Sequence, residues 1–349
     1  MNIKSLLLGS AAALVAVSGA RAADAVVIAE PEPMDYVRVC DTYGAGYYYI
    51  PGTETCLSIR GLVRYQISFD DDDDGWRKNA YARLDINAKS ETELGTLTGY
   101  MRIVGNNSQG QGYVDAESAP VGTMYMEYAS ISLGGLTIGL VDSIYDVDVG
   151  AEWDVSGAGY ANAISYTFAG GNGFSATVAL EEEDNNSNYI PNVVARVGIT
   201  QGWGSADLFV AYDDDDDSVT VGPFVEHDDG VYVKGVVVYK FTDTISLAGM
   251  GIWESDFGGG AYSTGYEWSV AAHLEAALTE KVAIGFGGQY FADSHFGGGD
   301  GYSVGGEVAY KIVENFSTKL QIQYDDFEAT DEDDEVESWN GWLRFERSF

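Results

Sequence analysis

Trp339-Asn-Gly-Trp-Leu-Arg-Phe-Glu-Arg-Ser-Phe349 closes the chain. Side chains of an extended strand alternate between its faces, which puts Trp339, Gly341, Leu343, Phe345 and Phe349 on one and Asn340, Arg344, Glu346 and Ser348 on the other. Arg347 interrupts the apolar face near its end, where a long stem lets the charge snorkel to an interface. Such a strand offers one side to hydrocarbon and one to water, and its terminal Phe349 looks like the signal read by the barrel-assembly machinery of outer membranes.

The opposite end points to export. Lys4 precedes the apolar stretch Leu6 to Val17, and Ala20-Arg21-Ala22 fits a small-residue cleavage site, so residues 1–22 are predicted to be a secretory signal peptide. The apolar stretch falls short of the ~20 residues of a spanning helix, which disfavours the rival reading of a retained anchor. The expected organisation is a signal over 1–22, a periplasmic segment over 23–56 and a transmembrane β-barrel over 57–349 of a bacterial outer membrane.

A net charge of −37 makes nucleic acid and other polyanions poor partners. The acids gather in Asp70 to Asp74, Asp213 to Asp217, Asp331 to Glu335 and Glu181 to Asp184, each between strand-like segments, and read first as solvated loop tips. They lack the spacing, internal Gly and closing Glu of a helix-flanked calcium loop. Gly 44 and Tyr 24 against Pro 6 suit many strands, tight turns and aromatic girdles. Cys40 and Cys56, an even count in an exported chain, are expected to form a disulfide that staples a segment with little core of its own.

Leu57 to Phe69 repeats the alternation, with Ile59, Val63, Tyr65, Ile67 and Phe69 against Arg60, Arg64, Gln66 and Ser68. A soluble sandwich shows the same period, so loop lengths discriminate better. Short turns such as Ser90 to Leu94 and Thr279 to Lys281 alternate with long connections such as Gly105 to Pro120 and Asp142 to Tyr160. Seventeen segments look strand-like; Ser218 to Glu226 breaks the alternation and is assigned to an external loop. The fold predicted is therefore all-β, a sixteen-stranded antiparallel barrel with a water-filled lumen.

Tyr36-Val-Arg-Val-Cys-Asp41, Ile50-Pro-Gly-Thr-Glu-Thr-Cys56, Ser90-Glu-Thr-Glu-Leu-Gly95, Ile164-Ser-Tyr-Thr-Phe-Ala-Gly-Gly-Asn-Gly-Phe-Ser175 and Arg344-Phe-Glu-Arg-Ser-Phe349 resemble the alphaproteobacterial porins of the brucella and rhizobium type. The resemblance runs from signal to C-terminus and is loose in the loops. It implies a homotrimer, a third external loop folded into each lumen, and passive diffusion of small hydrophilic solutes and ions. The aspartate runs and the segment Ser218 to Glu226 depart from the pattern.

Continuing the alternation, Tyr81, Arg83, Asp85 and Asn87, then Thr96, Thr98, Tyr100 and Arg102, face the lumen. Arg60, Arg64, Arg83 and Arg102 thus form a basic patch on three adjacent strands of a chain with 18 Lys and Arg. A plainer reading is that they neutralise wall carboxylates such as Asp85. The third loop carries Asp142, Asp146, Asp148, Glu152 and Asp154 without a base. Folded inward, it would oppose the arginines across a constriction and favour cations; lying flat outside, it would be a lid. Lys234, Lys240, Glu307, Lys311, Lys319, Gln321 and Gln323 share the inward register.

No enzyme site is predicted. His227, His273 and His295 are scattered, Gly258-Gly-Gly260 and Gly297-Gly-Gly299 lack the Lys and helix of a phosphate cradle, and no metal or cofactor is expected. The alternative function is a structural or adhesive barrel whose acidic loops bridge divalent cations on lipopolysaccharide. A secreted soluble β-protein is the third reading.

Overall fold

Alternation of apolar and polar residues governs almost every element of the computed structural model, which describes residues 38–71, 75–107, 123–182, 190–214, 229–258, 260–295, 299–328 and 335–349. A two-residue strand, β1 (Tyr48–Tyr49), precedes sixteen long ones: β2 (Cys56–Asp70), β3 (Arg77–Thr92), β4 (Gly95–Asn106), β5 (Thr123–Leu133), β6 (Leu136–Asp142), β7 (Tyr160–Ala169), β8 (Phe174–Glu182), β9 (Asn192–Gln201), β10 (Gly204–Asp213), β11 (Gly230–Thr242), β12 (Ile245–Glu254), β13 (Tyr266–Ala277), β14 (Val282–Ser294), β15 (Gly301–Val313), β16 (Phe316–Glu328) and β17 (Glu335–Ser348). The expected count of sixteen holds, and the predicted strand Leu57 to Phe69 is β2 to within one residue at each end. Residues 1–37, with the expected signal peptide, Asp72 to Asp74, Asp215 to Asp217, Ser218 to Glu226, His227 and Asp331 to Asp334 lie outside the described residues.

Each long strand pairs antiparallel with the next, and β17 returns to β2, from Asn340↔Asp70 to Ser348↔Leu62. The last residue completes the seam: Gly61 and Phe349 exchange two backbone hydrogen bonds of 2.9 Å each. Closure is what a bilayer demands, because hydrocarbon offers no partner for an unpaired strand edge. Gly61 is required at this seam, since a Cβ there would stand 2.6 Å from the Phe349 ring and 2.7 Å from the Arg83 carbonyl.

One face of the sheet is apolar and open. Ile59, Val63, Ile131, Ile164, Val178, Val197, Leu274, Phe286 and Ile322 are all exposed on it. Aromatic residues cluster at both rims, with Tyr324 between Tyr302 and Trp339 near the long connections and Tyr239 between Trp203 and Phe241 near the short turns. Their rings suit the membrane–water boundary. The other face carries Arg64, Asp85, Arg102, Lys234, Gln289 and Lys319, most of them hydrogen-bonded or ion-paired.

Cys40 and Cys56 form the expected disulfide, with their Cα atoms 5.9 Å apart. Tyr43, Tyr47 and Tyr49 pack around it in a small cluster.

Candidate functional site: a paired arginine wall and the 143–159 connection

Register brings the four arginines together. Arg60 stands opposite Asp85 and Leu62 opposite Arg83 on β2–β3, while Asp85 stands opposite Arg102 on β3–β4. Asp85 is shared: Arg83 Nε approaches it at 2.9 Å, Arg102 Nε at 2.6 Å, and the Tyr100 hydroxyl donates to it at 2.5 Å. Arg102 also reaches Glu127 at 3.2 Å and lies over the Tyr128 ring at 4.5 Å. Arg64 pairs with Glu346 of β17 at 2.9 Å and lies over Tyr81. The wall is therefore partly neutralised by its own carboxylates. Arg60 differs: its Nη2 donates to the Ala45 carbonyl at 3.0 Å, and its guanidinium lies 5.9 Å from the Tyr47 ring centre.

The connection between β6 and β7 is tied down along its length. At its root, Ser143 Oγ and the Ile144 amide donate to Glu181 at 2.6 and 3.0 Å, and Tyr262 donates to the same carboxylate at 3.1 Å. Tyr145 is fully buried edge-on against Phe209 and Tyr262. Lys234 of β11 donates to the carbonyls of Ser156 at 2.6 Å and Val147 at 3.3 Å, with its ammonium 4.0 Å from the Tyr145 ring centre. Gln289 of β14 grips Val155 twice, accepting from its amide at 2.7 Å and donating to its carbonyl at 2.9 Å.

Trp153 packs edge-on against His273 of β13 and lies where a Cβ at Gly305 of β15 would be, 2.7 Å away. At the far side Glu152 takes a two-pronged grip from Arg344 of β17, at 2.5 and 2.7 Å, and stands 3.8 Å from Lys319 of β16. Lys319 in turn pairs with Glu307 at 2.5 Å. Every one of these strand residues is offset by an odd number of positions from an exposed apolar neighbour such as Val237, Leu274, Tyr290, Leu320 or Trp339, so all belong to the polar face.

The loop acids serve different ends. Asp154 accepts from the Val149 amide at 2.8 Å, Asp148 from the Gly150 amide at 2.7 Å, and Asp146 from Ser156 Oγ at 3.0 Å, so these three shape the connection itself. Burial, with Asp148 nearby, pushes the Asp154 carboxyl up to about 6, and burial raises Asp146 as well. Asp142 ends β6 and is exposed. Among the described residues, the hydrogen bonds and ion pairs of Arg60, Arg64, Arg83 and Arg102 run to the wall and to Ala45, whereas the connection meets Arg344, Lys319 and Lys234.

Alternation puts Arg344 on the polar face but gives it no role, and it does not single out Trp342, whose ring carries the Arg344 guanidinium at 3.9 Å. Glu127 was also missed. It sits where the β4–β5 register slips between Arg102 and Ile103, so simple alternation cannot assign it a face. Among the described residues no group of three or more His, Cys, Asp or Glu is gathered in a metal-binding arrangement.

Comparison with known proteins agrees with this architecture. The family described as "Porin subfamily" matches residues 24–344. Porin Omp2b of Brucella suis biovar 1 (strain 1330) is 40% identical over 384 residues, covering 100% of both chains. Among solved structures, the outer membrane channel DcaP of Acinetobacter baumannii superposes with a TM-score of 0.68 at 13% identity, covering 86% of this chain and 99% of its own. The trimer form of OmpT, an outer membrane protein of Vibrio cholerae, gives 0.59 at 13% identity over 85% and 100%. A closed sixteen-stranded barrel with an apolar exterior, matched over its length by porins, places the chain in the porin subfamily as a passive diffusion channel of the bacterial outer membrane.

Proposed function

We propose that the connection from Ser143 to Gly159 crosses the lumen and forms the constriction of a cation-preferring pore. The observation that carries this reading is the reach of the connection. From its root between β6 and β7 it contacts side chains of the polar face on β11, β13, β14, β16 and β17, ending in the Glu152–Arg344 grip. Its acids Asp146, Asp148, Glu152 and Asp154, with Asp142 at the end of β6 beside them, have no base among them, and among the described residues Glu152 alone of the five forms an ion pair with wall cations. On the other wall, Arg64, Arg83 and Arg102 are compensated by Glu346, Asp85 and Glu127. The balance along the path is negative, which attracts cations and repels anions.

Small hydrophilic solutes and ions pass through such an opening by size and charge, with no chemical step. We further propose a homotrimer, in line with the trimer form of OmpT, an outer-membrane setting that includes lipopolysaccharide, and delivery by the barrel-assembly machinery through the closing strand and Phe349. Residues 1–22 are the segment removed on export, and 23–56 lie on the periplasmic side. Single-channel reversal potentials across a salt gradient test the selectivity: the expected sign is that of cation preference, and the opposite sign overturns it. Deleting residues 147–155 is expected to raise conductance; unchanged conductance would remove the connection from the permeation path.

A further inference from the structure

The segment between the two cysteines docks on the polar face of β2 and β3 at their short-turn end. Val39 bridges to Tyr48, and β1 pairs with β2 at Leu57 and Cys56. That is the stretch of β2 left uncovered by β17, whose pairing stops at Leu62, and by Phe349 just beyond it, which bonds Gly61. The disulfide anchors the segment on Cys56, which shares the polar face of β2 with Ser58 and Arg60. From that anchor it touches three polar-face residues: the Ala45 carbonyl and Tyr47 ring hold Arg60, Lys89 lies 5.6 Å from the ring centres of Tyr43 and Tyr47, and the Tyr43 hydroxyl donates to Glu91 at 2.8 Å.

Arg60, Arg83 and Arg102 line one cavity of about 690 Å³, together with Asp85, Tyr100 and Glu346. Its two side-chain carboxylates are already engaged, Asp85 by Arg83 and Arg102 and Glu346 by Arg64, and the terminal residue Phe349, whose backbone oxygen accepts from the Gly61 amide at 2.9 Å, brings the chain-end carboxylate to the same cavity. Arg60 has no carboxylate partner among the described residues. Arg83 meets Asp85 through Nε, the inner nitrogen of its guanidinium. The two arginines occupy diagonal positions of β2–β3, which sets their Cβ atoms roughly 7–8 Å apart or slightly less. Two planar forks at that separation fit an anion with a carboxylate at each end.

We propose that the disulfide-stapled segment holds Arg60 uncompensated at the short-turn mouth, and that Arg60 and Arg83 form a binding site for small dicarboxylates traversing the channel. Arg60 and Arg83 are the binding residues; Cys40, Cys56 and Tyr47 are positioning residues. The disulfide limits the freedom of the segment, and the Tyr47 ring steers the guanidinium toward the cavity. Such a site coexists with overall cation preference, because it acts at hydrogen-bond range whereas the loop acids act on every ion in the path. The inference rests on the channel reading above.

The test is current block by succinate added at the short-turn mouth, with acetate and inorganic phosphate compared at equal ionic strength. Succinate is expected to reduce the open-channel current of the unmodified protein, and R60Q to raise the half-blocking concentration about tenfold. C40S/C56S is expected to raise it about threefold while open-channel conductance is retained, as a positioning role requires. Equal block in R60Q, or acetate or phosphate as potent as succinate, would overturn the site. Calorimetric titration of the folded protein in detergent reads binding without conduction: heat with succinate that R60Q abolishes supports the site, and no heat overturns it. Absence of conductance instead counts against the channel reading, so the two failures are told apart.

Discussion

Glu152 is the residue at which the acidic connection meets the basic part of the wall. Its two oxygens are gripped by an Arg344 side chain that is only 11% exposed and rests on Trp342. Fixed geometry of this kind makes an exchange of charge readable in transport. E152Q removes one negative charge and leaves Arg344 without its carboxylate partner, while Lys319 keeps Glu307; a unit charge ~8 Å from a passing ion in water is worth about 0.5 kcal/mol, so the cation-to-anion permeability ratio is expected to fall at least roughly twofold. Reversal potentials measure it, and R344Q is expected to move them the other way. Asp154 gives a pH dependence. Its carboxyl is raised to about 6, chiefly by burial, so the docked connection holds that proton more tightly than an undocked one. Docking therefore strengthens as pH falls through about 6 and weakens as pH rises through it. Cation preference is expected to drop between pH 7 and pH 5 as the charge is lost, with D154N flattening that part of the profile.

Strands close this molecule only if β2 and β17 come within touching distance, and Gly61 is what permits it. A side chain there would press on the Phe349 ring and on the backbone of Arg83, an overpacking that costs ~1–3 kcal/mol. G61V is expected to lower the temperature at which the folded barrel loses its compact gel mobility, a shift that heat-modifiability electrophoresis detects. The number and limits of the strands were legible because period-two alternation and the long–short rhythm of connections are local properties. So was the clustering of Arg60, Arg64, Arg83 and Arg102 on neighbouring strands. The partners of lumen charges were not legible, because they depend on contacts remote in sequence: Arg64 pairs with Glu346 and Glu152 with Arg344. Glu127 stayed hidden for another reason, since a register slip removes the face assignment on which alternation relies. The opposition of loop acids to the four arginines assumed the nearest wall, whereas buried anchors at Tyr145, Lys234 and Gln289 carry the connection toward β16 and β17.

Viewed as a whole, the protein carries a net charge of −37 and concentrates its acids in the long connections, while most of the wall arginines are compensated by carboxylates of the wall itself. Two sources of selectivity are thus separable by range. Compensated pairs and the Glu152 grip act at contact distance, where salt screens little. Acids spread over the mouth act through a field that decays over ~10 Å at 0.1 M salt and ~3 Å at 1 M. If the mouth acids dominate, the cation-to-anion permeability ratio read from reversal potentials at a fixed tenfold gradient falls steeply as mean salt rises from about 0.1 to 1 M. With Glu152 neutralised by Arg344 and Lys319, the acids left to act are Asp142, Asp146, Asp148 and Asp154 together with the mouth runs, so the steep dependence is the expected result. A ratio that stays constant over that range would locate selectivity at contact distance within the 143–159 connection, and charge-neutralising substitutions in the other long connections would then leave it unchanged.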